Sequence, residues 1–360
     1  MRLNLVRVAQ LRAFERAELE PGPGLNLITG GNGAGKTSLL EAIHLLAYGR
    51  SFRGRVRDGL VRDGAAALEV FLEWEEAKGG RRVGLRHSGT EWEGRVDGAP
   101  AATLADLCAA LAVVTFEPGS HALISGAAEE RRRFMDWALF HVEHDFLPAW
   151  RRYARALKQR NALLKARPGP NALDPWDAEL ADAGALLTRI RSTYLEQLEP
   201  VVREVAAAFV PELGAARLQF RPGWRREQMA LVDALLLSRE TDLAQGFSGV
   251  GPHRADWRLQ FEGLPGRAAP SRGQEKLIAL SAVLGQAQHY AQARGEWPVV
   301  LFDDLASELD LEHQRRVLEH VLASGTQVIV TATEPPASVE ALNVNASLFH
   351  VEHSQVRRLD

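Results

Sequence analysis

The sequence predicts an α/β fold in which a mixed sheet around a glycine-rich loop is interrupted by an inserted α-helical lobe. Strand-like alternation of apolar and polar residues prevails from residue 3 to about residue 114 and surrounds that loop. A helical period then governs residues 121–240, and buried strands alternate with helices in the remainder. We therefore predict one lobe from residues 1–120 and 241–360, with residues 121–240 inserted as the second.

Short strands open the chain. Leu3–Val8 alternates as a half-buried strand does, and Ala17–Glu20 forms a second strand before the turn residues of Pro21–Gly24. Leu25–Ile28 is a largely apolar run, which predicts a buried strand. Later segments predict an antiparallel sheet beside this strand and then a further apolar strand, at residues 67–74, 82–86, 92–96 and 109–116.

The glycine-rich loop at residues 30–37 matches the pattern of a phosphate-binding P-loop at every specified position. It follows a buried strand and opens onto a predicted helix at Ser38–Ile43, which is the context that the motif requires. Backbone N–H groups of such a loop surround the β-phosphate, and the helix N-terminus adds a partial positive charge. Lys36 is expected to reach the β- and γ-phosphates, and Thr37 to offer its hydroxyl to Mg²⁺. The predicted ATP-binding residues are Gly30, Gly31, Asn32, Gly33, Ala34, Gly35, Lys36, Thr37 and Ser38.

A helical hairpin is predicted inside the inserted lobe. Its first helix spans about residues 129–165, the turn is Pro168–Asn171, and the second helix runs from about Trp176 to Glu199, followed by Val201–Phe209. Basic residues lie along the first helix, namely Arg151, Arg152, Arg155, Lys158 and Arg160. A second basic cluster follows the P-loop helix, namely Arg50, Arg53, Arg55, Arg57 and Arg62.

On charge alone, each basic cluster is more often a solvated face than a binding site. The functional alternative is contact with DNA phosphates, which gives weak sequence preference and a steep salt dependence. The candidate DNA contacts are Arg50, Arg53, Arg55, Arg57, Arg151 and Arg152.

Ser271, Arg272, Gly273 and Gln274 stand at the start of a predicted helix that ends near Arg294. A serine and a glycine-bearing backbone at a helix N-terminus form an anion site. Taken alone, the segment is typical of an ordinary helix N-cap. Its order and spacing relative to the motif described next favour the signature segment of ABC ATPases, which contacts the γ-phosphate of the nucleotide held by the other subunit.

Two carboxylates follow the buried strand predicted at residues 299–302, the form of a Walker B strand. Asp303 is expected to hold the Mg²⁺ shell, and Asp304 to orient or deprotonate the attacking water. Without a P-loop, such a pair is as often a solvated strand end, but Lys36 in the same chain favours the nucleotide site. Lys36, Asp303 and Asp304 are the candidate catalytic residues. A helix at residues 311–323 and a buried strand at 327–331 complete a parallel arrangement.

Composition limits the remaining function classes. The formal net charge is −3, from 43 basic and 46 acidic residues, so DNA would have to bind through a local patch. The single cysteine, Cys108, excludes an intramolecular disulfide and a multi-cysteine metal site. No signal-like segment opens the chain, and no apolar run reaches the roughly eighteen residues of a membrane helix, so a cytoplasmic protein is expected.

The three nucleotide motifs resemble those of the RecF family, bacterial recombination-mediator ATPases related to the heads of SMC-type proteins. Four further segments carry the resemblance over essentially the whole length: Arg50–Arg53, Pro118 with Gly126, Arg131–Asp136 and Gly251–Asp256. His253 and Arg254 could be nucleotide contacts, lobe contacts or parts of a structural turn. Departures from the family pattern are Gly119, Ala128, the lack of a clear Q-loop glutamine, and Thr331 and Thr333 in the region where transporter ATPases place a histidine.

The resemblance implies an ABC-type P-loop ATPase head that uses ATP and Mg²⁺. It implies an ATP-dependent homodimer that binds duplex DNA with gaps or single-strand junctions, in DNA repair, DNA replication and the SOS response. The mediator proteins RecO and RecR are the implied partners in recombinase loading. Weak, DNA-stimulated hydrolysis of ATP would release the dimer.

Two alternatives remain open. The first is the ATPase subunit of a transporter, which the N-terminal strands, the helical hairpin and the departures from a Leu-Ser-Gly-Gly-Gln signature disfavour. The second is an SMC-like bridging head without a loading role. A bridging head needs long heptad arms, which residues 129–209 do not supply.

Overall fold

A helical segment is inserted between the two halves of a mixed α/β unit. The computed structural model describes residues 1–54, 59–166, 169, 171–264 and 269–359 of the chain. The α/β unit comprises Met1–His121 and Ser271–Asp360, and the helical unit comprises Ala122–Pro270. Among the helices described, none is both long and apolar enough to cross a bilayer.

The helical unit extends beyond the lobe predicted at residues 121–240. The strand at residues 256–261 pairs antiparallel with the strand at residues 216–221, which ties the following segment to the lobe. Residues 241–264, predicted for the other lobe, therefore belong to the helical unit.

The N-terminal half of the α/β unit builds an antiparallel sheet and begins a parallel one. Its elements are β1 (Arg2–Leu11), β2 (Phe14–Leu19), β3 (Leu25–Thr29), α1 (Lys36–Tyr48), β4 (Leu68–Glu76), β5 (Gly79–His87), β6 (Trp92–Val96), β7 (Ala99–Pro100), α2 (Leu104–Ala110) and β8 (Val113–Phe116). The antiparallel sheet has the order β2-β1-β4-β5-β6-β7. Apolar residues on one face of this sheet share a core with α1.

One predicted strand in this half was too long. Ala109 and Ala110 end helix α2 rather than opening the strand that continues to Phe116. Thr103 and Asp106 form a capping box that begins the helix, because each side chain accepts the backbone N–H of the other residue.

The helical unit contains α3 (Ala122–Ser125), α4 (Ala128–Val142), α5 (Phe146–Ala166), α6 (Asp174–Phe209), β9 (Ala216–Arg221), α7 (Leu231–Gln245) and β10 (Asp256–Phe261). Helix α5 packs against α6, as the predicted hairpin requires. The helix predicted at residues 129–165 is interrupted after Val142, whereas α6 continues through Pro200. Buried Leu198 and Val201 flank that proline, and such packing offsets the loss of a helical hydrogen bond. Two residues of the predicted turn, Pro168 and Pro170, lie outside the described residues.

The C-terminal half of the α/β unit completes the parallel sheet. It contributes α8 (Arg272–Arg294), β11 (Val299–Phe302), α9 (Leu305–Glu308), α10 (Leu311–Ala323), β12 (Val328–Thr331), α11 (Ala337–Ala341), β13 (Ala346–Glu352) and β14 (Gln355–Arg358). The sheet order is β14-β13-β3-β12-β11-β8, and all neighbours except β14 and β13 run parallel. Strands β3, β11 and β12 are wholly buried, as their apolar runs predict. Their carboxyl ends meet at one edge.

Candidate functional site: a nucleotide and Mg²⁺ site

The P-loop and the Walker B aspartates meet at the carboxyl edge of the parallel sheet. Strand β12 lies between β3, which leads into the P-loop, and β11, which leads into Asp303. Thr37 at the start of α1 donates its hydroxyl hydrogen to Oδ1 of Asp303 at 2.9 Å. Two motifs separated by 266 residues are thus in direct contact.

Glycine is required at two points of the P-loop. Gly30 has φ +148°, and a Cβ there would lie 2.3 Å from the carbonyl oxygen of Val351 in β13. Gly35 has φ +116°, and a Cβ there would lie 2.6 Å from the ring of Phe14. Both positions favour glycine on conformational and steric grounds. The loop backbone is therefore held between β13 and the buried phenyl ring.

Lys36 lies close to the loop that precedes it. Its Nζ donates to the carbonyl oxygens of Gly30 at 2.7 Å and Gly31 at 3.0 Å. Burial lowers the pKa of Lys36, and the charges of Asp304 and Asp303 oppose that shift. The lysine thus stands near both aspartates, where an ammonium group would neutralise phosphate charge.

Asp303 is held by hydroxyl donors from two elements. Its Oδ1 accepts from Thr37 and, at 2.8 Å, from Thr331 at the end of β12. Burial raises the pKa of Asp303, while the two hydroxyl donors and the charge of Arg53 oppose that effect. Asp304 has the left-handed backbone conformation, φ 53° and ψ 43°, and its N–H donates to Oγ1 of Thr331 at 2.9 Å.

These donors fit Mg²⁺ bound together with a nucleotide. Within the described residues, no group of three His, Cys, Asp or Glu side chains could hold a metal ion by itself. Mg²⁺ in phosphate-transfer sites needs only one or two protein oxygens besides phosphate oxygens and waters. The Thr37 hydroxyl and the Asp303 carboxylate supply that set.

The Ser271 segment forms the start of α8. Oγ of Ser271 accepts the N–H of Gln274 at 3.3 Å, and Oε1 of Gln274 accepts the N–H of Ser271 at 2.9 Å. The N-cap alternative is therefore realised as a capping box. Ser271, Arg272 and Gly273 are nevertheless exposed.

A buried carboxylate that sequence reasoning missed supports the P-loop helix. Glu41 of α1 is fully buried and accepts two bonds from the guanidinium of Arg12, at 2.8 and 2.7 Å. It also accepts the hydroxyl hydrogen of Ser51, whose Oγ in turn accepts the N–H of Arg53. The available signal was an acidic residue inside the apolar run Leu39–Ile43.

Glu117 directly follows β8. Its carboxylate accepts the N–H of Gly119 at 2.5 Å, and burial raises its pKa. A Cβ on Gly119 would lie 2.9 Å from both carboxylate oxygens, so a larger residue there would require the flexible Glu117 side chain to move.

The predicted DNA contacts have different surroundings. Arg53 is exposed, and its charge acts on Asp303, which places it beside the nucleotide site. The charge of Arg50 helps to lower the pKa of buried His44. Arg152 is exposed but pairs with two carboxylates of α6, at 2.6 and 2.7 Å. Arg151, Arg155 and Lys158 are exposed, whereas Arg55 and Arg57 lie outside the described residues.

Arg160 does not belong to the basic surface. Its side chain is fully buried and pairs with Asp177 at 2.5 Å and Asp242 at 2.7 Å. The prediction that it lies on the basic side of its helix was wrong, because its charge is matched by partners from α6 and α7.

The two motif segments of the helical unit meet each other. Arg131 is buried and forms a two-pronged ion pair with Asp256, at 2.6 and 3.2 Å. Arg191 donates to the Pro252 carbonyl at 2.7 Å, and the imidazole of His253 bonds the Tyr153 hydroxyl at 2.6 Å. Of the alternatives for residues 251–256, these contacts favour a structural turn within the helical unit.

Comparison with known proteins identifies the family of this chain. The family model described as the RecF/RecN/SMC N terminal domain matches residues 2–357. The DNA replication and repair protein RecF of Stenotrophomonas maltophilia (strain R551-3) is 59% identical, and that of Xanthomonas axonopodis pv. citri (strain 306) is 58% identical, each alignment covering 99% of both chains. A solved structure of the recombination mediator protein RecF with ATP in the RecFOR pathway is 26% identical, with a TM-score of 0.89 over 100% of this chain and 98% of that one.

An SMC head bound to the C-terminal winged-helix domain of ScpA has a TM-score of 0.60 at 15% identity, covers 100% of this chain and 97% of that one, and shares the fold alone. The fold class and the family resemblance predicted from the sequence are both confirmed. The chain belongs to the RecF/RecN/SMC N-terminal domain family of ABC-type ATPase heads and, within it, to the RecF proteins of DNA replication and repair.

Proposed function

We propose that this chain is an ATP-dependent DNA-binding protein whose dimer forms on ATP and opens after slow hydrolysis. The observation that supports this most is the hydrogen bond between Thr37 and Asp303, which lies beside Lys36. The same unit exposes the Ser271 segment. On this proposal, one unit carries the phosphate and Mg²⁺ groups of one site and, at Ser271, the anion-binding segment that completes the site of a second copy. Family membership leaves no reason to retain the transporter alternative.

Each predicted nucleotide-site residue has a separate role. Residues 30–38 bind the phosphates through backbone N–H groups, and Lys36 adds positive charge. Thr37 and Asp303 hold Mg²⁺, which when bound neutralises charge on the β- and γ-phosphates. Asp304 orients the attacking water and accepts its proton.

The trans role of Ser271 is compatible with its capping box. Oγ of Ser271 accepts the N–H of Gln274, which uses a lone pair and leaves the hydroxyl hydrogen available. An exposed hydroxyl of this kind donates to the γ-phosphate of a nucleotide held by a second copy. Lys276, one turn further along α8, pairs with Glu308 of α9 at 2.9 Å, which ties the signature helix to the segment after Asp304.

Two substitutions separate capping from donation at Ser271. Ser271→Thr keeps both the acceptor and the hydrogen, whereas Ser271→Asp keeps a good N-cap acceptor and removes the hydrogen. We expect Ser271→Asp to bind ATP, to remain monomeric with ATP in sedimentation, and to lose roughly 10-fold or more of its ATPase activity. Ser271→Thr should stay within about threefold of the parent. Lys36→Met is the control that loses ATP binding itself.

Protein concentration provides an independent test of the composite site. Specific ATPase activity should rise with concentration until the dimer is saturated. A specific activity that is constant over a wide range, or a Ser271→Asp variant that dimerises and hydrolyses ATP normally, contradicts a trans site.

The DNA substrate proposed is duplex DNA with gaps or single-strand junctions, and the proposed partners are the mediators RecR and RecO. The structural neighbour solved with ATP is a recombination mediator in the RecFOR pathway, which supports this choice of partners. Exposed Arg53 and Arg151 remain candidate phosphate contacts. ATP, unlike ADP, should promote binding to gapped DNA in moderate salt, and added DNA should raise the weak ATPase activity. Equal binding with both nucleotides contradicts the switch.

A further inference from the structure

Thr331 ends the strand between the two nucleotide motifs. Its side chain is fully buried, and its Oγ1 makes two bonds that face different partners. The hydroxyl hydrogen is donated to Oδ1 of Asp303 at 2.8 Å, and a lone pair accepts the N–H of Asp304 at 2.9 Å. One hydroxyl can do both, because it has a single hydrogen and two acceptor positions.

From this geometry we propose that Thr331 is a positioning residue of the ATPase site, which fixes the Asp303 carboxylate and the Asp304 backbone together. The inference rests on the proposed function, since that function assigns Mg²⁺ to Asp303 and the attacking water to Asp304. Thr331 itself acts through these two residues.

The backbone of Asp304 shows why an anchor is needed. Its φ of 53° and ψ of 43° lie in the left-handed region, which L-residues leave unless their surroundings hold them there. The N–H of Asp304 donates to Oγ1 of Thr331, and the carbonyl oxygen of Asp304 accepts the N–H of Ser307 in α9 at 3.0 Å. Rotation of the peptide between Asp303 and Asp304 would break the first bond and redirect the Asp304 carboxylate.

Thr331 also differs from the other donor to Asp303. Thr37 is the predicted Mg²⁺ ligand, so its hydroxyl serves the metal when nucleotide binds. Thr331 is not a predicted Mg²⁺ ligand. Its hydroxyl can therefore keep its bond to Asp303 during ATP binding and hydrolysis.

The residues after Thr331 reach the P-loop strand. The N–H of Ala332 donates to the carbonyl of Ile28 at 3.0 Å, and the carbonyl of Thr333 accepts the N–H of Gly30 at 3.3 Å. Three consecutive residues, 331–333, therefore connect the Walker B aspartates with the start of the P-loop.

The test compares Thr331→Val, which keeps the shape and removes the hydroxyl, with Thr331→Ser, which keeps the hydroxyl. We expect Thr331→Val to lower kcat roughly 10- to 100-fold while KM for ATP stays within about threefold. The Mg²⁺ concentration for half-maximal binding of a fluorescent ATP analogue should rise about threefold or more, because Asp303 is less well oriented. Thr331→Ser should restore both quantities to within about threefold of the parent.

Several results overturn the proposal. These are a normal kcat in Thr331→Val, an equal defect in Thr331→Ser, or a loss of ATP binding that matches Lys36→Met. Should Thr331→Val not fold, Thr331→Ala removes the same hydroxyl with a smaller side chain and takes its place in the comparison. Thermal unfolding without nucleotide checks the fold of each variant.

Asp304→Asn separates this inference from the proposed function. The proposed function requires Asp304→Asn to bind ATP without hydrolysing it. If Asp304→Asn hydrolyses ATP normally, the role of Asp304 is wrong. If Asp304→Asn is inactive while Thr331→Val is normal, only the role of Thr331 is wrong.

Discussion

Removal of the Glu41 carboxylate should strongly destabilise the α/β unit. Glu41 is fully buried, and in Glu41→Ala the guanidinium of Arg12 loses both of its bonds to that carboxylate. The hydroxyl of Ser51 loses an acceptor in the same variant. The perturbation therefore leaves one charge and one hydroxyl without their partner in a region that water reaches poorly.

The size of the loss in unfolding free energy follows from how exposed the side chains of Arg12 and Glu41 are. Breaking a buried ion pair by deleting one member costs about 3–5 kcal/mol, because the remaining charge is left uncompensated. The Arg12 side chain is 25% exposed, so water recovers part of its solvation. We therefore expect Glu41→Ala to lower the free energy of unfolding by about 3 kcal/mol, near the lower end of that range.

Chemical denaturation monitored by circular dichroism measures the change. The matched control is Glu18→Ala, which removes the partner of Arg7 from a pair whose side chains are 54% and 47% exposed. That substitution should cost less than about 1 kcal/mol, as surface pairs do. Equal losses in the two variants would refute the assignment of Glu41 as a buried structural carboxylate.

Three further predictions concern other buried groups. Burial lowers the pKa of His44 to about 3, so the unfolded chain binds the proton first, and stability should fall as pH drops from about 6.5 towards 3. His44→Phe should flatten the slope of unfolding free energy against pH by up to about 1.4 kcal/mol per unit. Burial raises the pKa of the Cys108 thiol to about 12, so alkylation at pH 8 should be slow in the folded protein and fast in denaturant. Arg160→Met should cost about 3–5 kcal/mol in the helical unit, and Arg152→Met under about 1 kcal/mol, by denaturation of each variant.

The nucleotide motifs could be predicted because their chemistry is written in consecutive residues. Residues 25–37 and 299–304 each combine an apolar strand with the groups that must follow it, so one pattern predicts both the strand and the site. Their meeting at one sheet edge followed from parallel strands. Thr37 and Asp303, each predicted as a Mg²⁺ ligand, are joined by a hydrogen bond.

Errors arose where the decisive partner lies far along the chain. Arg160 resembles any other basic residue on an amphipathic helix, and only the fold brings Asp242, 82 residues away, to its guanidinium. The strand predicted at residues 109–116 was too long for a local reason. Ala109 and Ala110 continue the apolar run without a break, and the stronger signal was the Thr103 and Asp106 capping box that starts α2.

The contact of Gly30 with β13 has a consequence for how the protein is made. Thr29 bonds the carbonyl of Phe349 across 320 residues of sequence, and β3 lies between β12 and β13. During synthesis the P-loop leaves the ribosome early, but both strands that flank its own strand follow only after residue 328. A nascent chain therefore cannot assemble the ATP pocket, and by the proposed switch cannot pair with a finished copy, until β12 and β13 have been translated.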